Sequence, residues 1–296
     1  MKIESRIRRG YFDGHTGQVH FRLIGARGGR PLLLLHQSPL SGTQFDAAMP
    51  LLASLGYCVV APDMPGFGMS DVPPAAATLD DFASIIDAVC NGMQWSRASI
   101  VGHHTGAVLG SIYARRRPEA VEKLVLNGFP LLGAAERKHF ASFYFGPKEP
   151  QLDGSHLLKA WETRLRATPG WTDIHLMHRY TIEALHRGAT NWQAFPLVIG
   201  ADLESVLREL TVPTLMFTNT GEDLYESTRR AWQLRPDFFA YAELQGGTHD
   251  IVDEQPQAWV ETIDRFMKAD SQKLSSATAS AVPSAGTMTV RAPTAG

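Results

Sequence analysis

Cysteine is scarce in this chain: 296 residues hold two, Cys58 and Cys90. Two thiols cannot build a multi-bridge framework, so a small disulfide-stapled fold is excluded and two buried thiols are expected. Long apolar runs are missing as well, and none approaches the ~20 residues of a membrane-spanning helix. The stretch Met1 to Arg9 has no apolar run behind it, so no secretory signal is read there. Neither sign of charge dominates. Twenty-eight Lys and Arg against 30 Asp and Glu give a net charge of −2, and the two signs are interleaved. Without a basic stripe, nucleic acid is not an expected partner. These absences make a cytoplasmic, soluble protein the default, with a small-molecule substrate as partner and neither membrane nor nucleic acid. A homodimer is left open.

What is present is a 44% apolar composition, enough for one large α/β domain with an insertion. Gly10 to Gly25 reads as a hairpin, with Gln18 to Leu23 alternating and Asp13 to Gly17 as the turn. Pro31 to Leu35 and Tyr57 to Ala61 are continuous apolar runs, as expected of strands buried on both faces. Helices are predicted over Gln44 to Leu55 and Leu79 to Met93, the second with Phe82, Ile85, Ile86 and Val89 on one stripe. Strands follow at Ala98 to Val101 and Lys123 to Asn127. After Pro130 the alternation stops. Residues 131–205 read as a helical insertion rich in aromatics and histidines, Phe143, Tyr144, Trp161, Trp171 and Trp192 among them. Strands resume at Val212 to Phe217 and Phe238 to Leu244, before a last helix, Gln257 to Met267. From about Ala269 the Ser, Ala, Thr, Pro and Gly content predicts a disordered tail.

Alternating β and α elements predict a mostly parallel central sheet with helices on both faces. The domain reading is a core of 1–130 and 206–268, a helical cap of 131–205 and a tail of 269–296. Functional sites in such sheets lie at the carboxyl ends of the strands. The loops after Leu35, Val101, Phe217 and Leu244 are therefore the places to look.

One further absence matters most. Gly102-His103-His104-Thr105-Gly106 follows a short apolar strand and opens a helix. It has the layout of a nucleophile elbow, G-x-S-x-G, whose sharp turn presents one side chain over the sheet. The serine is missing and His104 stands in its place.

Taken with its neighbours, the chain resembles an alpha/beta-hydrolase with a helical cap, from about Tyr11 to Met267. His36-Gln37-Ser38-Pro39 resembles the H-G-x-P oxyanion loop, with Gln37 where glycine is usual. Pro62 to Asp71 resembles the P-D-x-P-G-x-G-x-S-D loop, and residues 102–106 resemble the elbow. Asp223 falls where the family places its acid, and His249 where it places its histidine. The resemblance implies a cofactor-free fold-family member whose site is built from these loops.

Read as chemistry, His249 lies on a glycine-bearing loop where an imidazole can move a proton near neutral pH. Asp223 would accept a hydrogen bond from it and fix its tautomer, with Glu222 as the rival acid. Asn127, at the position where some members carry the acid, cannot serve as a carboxylate. Ser38 and Thr105 are candidates for their backbone N–H groups, which together would hold an oxyanion, with Gln37 and His103 beside them. His36 reads as a brace for the loop.

His104 itself allows three readings: a nucleophile forming an acyl-imidazole, a general acid or base paired with His249, or a silent replacement in a ligand-binding protein. A metal is not expected, because His103 and His104 should diverge on a tight turn and no His-x-x-x-His spacing accompanies them. His175 and His178 read as a helix surface. The elbow also resembles the G-H-D-x-G-A form of epoxide hydrolases and haloacid dehalogenases, but those reactions need a carboxylate to alkylate. The sequence thus points to cofactor-independent hydrolysis of an ester, lactone or other activated acyl bond of a small apolar or aromatic substrate, at a His104–His249–Asp223 site. A lyase or other proton-transfer enzyme is the runner-up.

Overall fold

A computed structural model describes residues 6–141 and 148–269. The tail reading beyond Ala269, the first five residues, and Phe143 and Tyr144 lie outside the described residues.

Among the described residues eight strands form one sheet: β1 (Arg8–Gly14), β2 (Gly17–Ile24), β3 (Arg30–Leu35), β4 (Tyr57–Pro62), β5 (Ala98–His103), β6 (Val121–Asn127), β7 (Thr214–Asn219) and β8 (Ala240–Leu244). Their spatial order is β1-β2-β4-β3-β5-β6-β7-β8. The β1–β2 hairpin joins β4 antiparallel, and all pairings from β4 to β8 are parallel. The apolar runs read from sequence fall inside these strands.

The side-chain period of two explains why continuous apolar runs are needed. Leu33 and Leu35 enter one core and Leu32 and Leu34 the other. Met216 of β7 likewise faces the first core, and Leu215 and Phe217 the second. Each such leucine, fully buried, stabilises the fold by roughly 1.5–3 kcal/mol. Helices Leu79–Ala83, Ile85–Met93 and Thr105–Arg116 cover one face. Ala48–Ser54 and Pro256–Lys268 cover the other. Cys58 and Cys90 are buried and unbridged.

Two predicted helices are shorter than expected. The segment from Gln44 begins as a 3-10 turn, Gly42–Phe45, before the helix Ala48–Ser54. The Leu79 to Met93 helix is interrupted at Ser84, whose hydroxyl bonds back to the Asp81 carbonyl. Serine competes for local backbone groups in this way and interrupts helices.

Between β6 and β7 the chain runs through helices Ala134–Ala141, Ser155–Ala167, Ile174–His186, Ala194–Gly200 and Leu203–Glu209. This insertion is tied to the sheet's loops. Thr43 Oγ1 donates to Glu183 at 2.7 Å, Arg187 Nε to the Gly68 carbonyl at 2.7 Å, and the Tyr180 hydroxyl to Asp253. Among the described residues no helix is long and apolar enough to cross a membrane.

Candidate functional site

The elbow is built by close backbone approach. A Cβ on Gly102 would lie 2.3 Å from the Gly106 carbonyl oxygen, and one on Gly106 would lie 2.1 Å from that of Leu35. Only glycine fits at either position. Between them His104 adopts φ 49° and ψ −108°, well outside the ordinary regions for an L residue. Such a backbone is strained by of order 1–3 kcal/mol and concentrates at functional sites. The strained turn lifts the imidazole over the strand ends, with 14% of the side chain exposed.

The acid that meets it is Glu222. Its Oε2 accepts from His104 Nε2 at 2.8 Å. Its Oε1 accepts from the Thr218 hydroxyl at 2.5 Å, and the side chain is fully withdrawn from water. Asp223, the expected acid, is exposed. The turn after β7 alternates its side chains, so the carboxylate one residue earlier is the one aimed inward. With Nε2–H directed to a carboxylate, His104 keeps its lone pair on Nδ1. Gly128, at φ +63°, makes room for the pair. A Cβ there would lie 2.2 Å from the His104 ring and 2.8 Å from Glu222 Oε2. Asn127 is occupied structurally, accepting from Trp259 Nε1 at 2.7 Å.

His249 lies edge-on to His104, with ring centroids 6.0 Å apart. The expected Asp223–His249 hydrogen bond is not formed. The neighbour of His249 Nε2 is a cation, Arg164 Nη1, at 3.5 Å. Burial, the Arg164 guanidinium and His104 together hold the His249 pKa well below the usual histidine value, so the ring is neutral. Arg164 comes from the inserted helix Ser155–Ala167 and pairs with Asp250, a fully buried carboxylate. Asp250 also accepts from Gln37 Nε2 at 3.0 Å. Gln37 thus links the loop after β3 to Asp250. Its backbone φ is negative, so the glycine usual in that loop is dispensable here.

His103 is fully buried behind the elbow. Its tautomer follows from a short relay. The Gln37 backbone N–H donates to Gln44 at 3.0 Å, which must therefore present Oε1 there. The Gln44 amide nitrogen is left to donate to His103 Nδ1 at 2.5 Å. Nδ1 accepts, so Nε2 carries the proton, and that N–H is buried without a partner. Burial first, then His104 and His249, keep the ring neutral.

This arrangement also bears on metal binding. His103 and His104, expected to diverge, instead lie with ring centroids 4.3 Å apart, and with Glu222 each brings a ligand atom within 4.8 Å of the others. Yet His103 Nδ1 accepts from Gln44 while its Nε2 carries the proton, and His104 Nε2 and Glu222 Oε2 are bonded to one another. A metal needs free lone pairs, and this donor set does not offer three.

The oxyanion loop departs from expectation at one point. The Ser38 N–H is directed at the Thr105 hydroxyl, 3.4 Å away, and that hydroxyl donates to Ser38 Oγ at 3.1 Å. Thr105 opens the helix Thr105–Arg116, whose first N–H groups have no intrahelical acceptor. His36 braces the loop as expected: its Nδ1 donates to the Gln37 carbonyl and its Nε2 accepts from the Met64 N–H. Burial pushes its pKa down to about 4. Phe67 is buried and Met69 exposed, while His175 and His178 lie on the surface. Sequence reasoning missed Arg164, Gln44, Asp250 and Gly128. Only Asp250, adjacent to His249, carried a positional signal.

The comparisons with known proteins agree with this architecture. The model of the alpha/beta hydrolase fold matches residues 30–173. The chain has the alpha/beta hydrolase fold. It is 36% identical over 117 residues to a human serine hydrolase-like protein, covering 39% of this chain and 57% of that protein. It is thus similar to little more than half the length of that relative. A serine hydrolase-like protein of Dictyostelium discoideum is 24% identical over 268 residues, 80% of this chain and 74% of its own. Among solved structures, the enol-lactonase from Burkholderia xenovorans LB400 superposes with a TM-score of 0.70 at 18% identity, over 88% of this chain and all of the other. In this chain the acid that follows β7, Glu222, is hydrogen-bonded to the elbow residue His104.

Proposed function

We propose that the protein is a cofactor-independent hydrolase of a small ester, lactone or comparably activated acyl compound, with His104 as a general base on water. One observation carries this reading: Glu222 holds His104 rather than His249. In a serine-type triad the acid orients the histidine that shuttles the proton. Here it orients the elbow side chain itself, which is the arrangement a base requires. Water gives its proton to His104 Nδ1 while its oxygen bonds to the substrate carbonyl carbon. Glu222 stabilises the imidazolium that forms, and the proton then passes to the departing alkoxide as the C–O bond breaks.

The Thr105 N–H, at the positive end of its helix, supplies an oxyanion donor. Ser38 joins it once its N–H turns from the Thr105 hydroxyl, and the buried His103 N–H backs the site. Attack by Nδ1 itself is disfavoured because that nitrogen adjoins the ring carbon bearing Cβ. The inserted helices act as a cap, and Arg164 on one of them reaches His249. The enol-lactonase name of one structural neighbour lies within this reaction class.

A second reading, proton abstraction from carbon as in a lyase, is favoured by the lack of a hydroxyl, thiol or carboxylate at position 104, the side chain the elbow presents. The test is turnover of a panel of aryl esters and lactones by wild type and His104→Ala, with mass spectrometry of quenched wild type. Hydrolysis lost in the variant, with no mass adduct, supports the general-base reading. An adduct on His104 replaces it with covalent catalysis. Inactivity of both forms rejects hydrolysis of these substrates and moves proton abstraction or ligand binding forward.

A further inference from the structure

Arg164 is out of place for a helix on the outside of a sheet. It is 8% exposed, lies with its guanidinium 5.0 Å from the centre of the Tyr180 ring, and reaches the loop after β8. A buried arginine has five N–H groups to satisfy. Nη2 is in ion-pair contact with Asp250 Oδ2 but the two make no hydrogen bond, and Nη1 lies at the long distance of 3.5 Å from His249. Nε is buried and has no hydrogen-bond partner. A buried donor left unpaired costs about 1–3 kcal/mol and calls for an explanation.

Its neighbours do not supply one. Asp250 has its other oxygen committed to Gln37. Asp253 accepts the Tyr180 hydroxyl, and burial pushes its carboxyl up to about 7 despite Tyr180, Arg179 and Arg164, so near neutrality it is only partly charged. Glu183 accepts from Thr43, and its pKa too is raised by burial. Arg164, lowered by burial to about 10, remains cationic at neutral pH. The site therefore contains an Arg164–Asp250 ion pair whose guanidinium keeps an unfilled donor, in contact with His249 and one imidazole away from His104. The planar guanidinium fork matches a carboxylate.

We propose that Arg164 anchors a carboxylate of the substrate, so that the acyl compounds turned over carry an anionic group a short distance from the scissile carbonyl. This rests on the placement of the site given above, and it narrows the substrate class. The ligand carboxylate would fill the donors that Asp250 leaves. Gln37, by holding Asp250, would set the angle of the guanidinium.

The experiment uses two probes of nearly equal shape, benzoate and benzamide, with binding to the full-length protein followed by calorimetry. The expected result is that wild type binds benzoate at least tenfold more tightly than benzamide. That preference should disappear in the Arg164→Gln/Asp250→Asn double variant, which removes both buried charges together and so leaves neither unpaired. Arg164→Lys, which keeps the charge but not the fork, should retain only part of it. Equal binding of the two probes by wild type, or a preference that survives in the double variant, overturns the proposal. If the double variant does not fold, an Arg164→Lys protein with an undiminished preference overturns it equally.

Turnover separates this inference from the hydrolase reading. Wild type should prefer 4-nitrophenyl hydrogen glutarate over its methyl ester. Benzoate preference without turnover of either ester leaves the anion site standing and removes the hydrolase reading. Turnover of both esters at equal rates, without benzoate preference, removes only the anion site.

Discussion

Glu222 Oε2 accepts the Nε2 proton of His104 at 2.8 Å, while Asp223, its neighbour in sequence, is exposed. These two adjacent carboxylates therefore make opposite predictions. Glu222→Gln keeps the shape and an oxygen for Thr218 but removes the charge that supports an imidazolium. Its kcat/KM on an active ester should fall by about 10²-fold or more, the range for a working base. Asp223→Asn should stay within about twofold, as surface substitutions do. Steady-state kinetics of the two variants checks this, and equal losses would return Asp223 to the site.

Gly128 offers a test of the packing around the pair. Gly128 and Gly246 have similar backbones, at φ +63° and +71°. A Cβ on Gly246 meets open space, but one on Gly128 strikes the His104 ring. Both alanine variants carry the left-handed strain, of about 1–2 kcal/mol. Gly128→Ala alone should also displace His104. Its loss of stability should exceed that of Gly246→Ala, and its activity should drop at least tenfold. Chemical denaturation and kinetics on the two proteins give the comparison.

Asp253 gives the insertion's contact with the core a pH dependence. Burial raises its carboxyl to about 7 from an ordinary value of 3.8. Between those values the folded state binds more protons than the unfolded state, so this group's contribution to stability is lost as pH rises from about 4 to about 7. Asp253→Asn cannot titrate. Relative to wild type it should gain stability across that window, by more than the ~1.4 kcal/mol that a tenfold change in proton affinity represents. Urea midpoints at pH 4.5 and 7.5 measure the difference, and a constant offset between the two proteins would contradict it.

The fold was legible because its strands are buried on both faces. Leu32 to Leu35 must be apolar throughout, and such a run stands out in a sequence. The elbow was legible because close backbone contacts allow only glycine at 102 and 106. The location of His249 followed from loop order. What escaped depends on direction and distance. Glu222 and Asp223 sit one position apart, and only the path of the turn after β7 decides which points inward. Arg164 and Arg166 look alike on their helix, yet the first is buried and the second exposed. Its partner Asp250 is distant in sequence. The His103 tautomer depends on Gln44, brought to it by a 3-10 turn that the apolar pattern did not reveal.

The sharpest measurement is a double-variant cycle on kcat/KM for one active aryl ester, using wild type, His104→Ala, Glu222→Gln and the two combined. Residues that act as a unit are strongly non-additive. If Glu222 works only through His104, the combined variant is no slower than His104→Ala alone. If the two losses multiply, or Glu222→Gln retains the wild-type rate, His104 and Glu222 do not form the working pair.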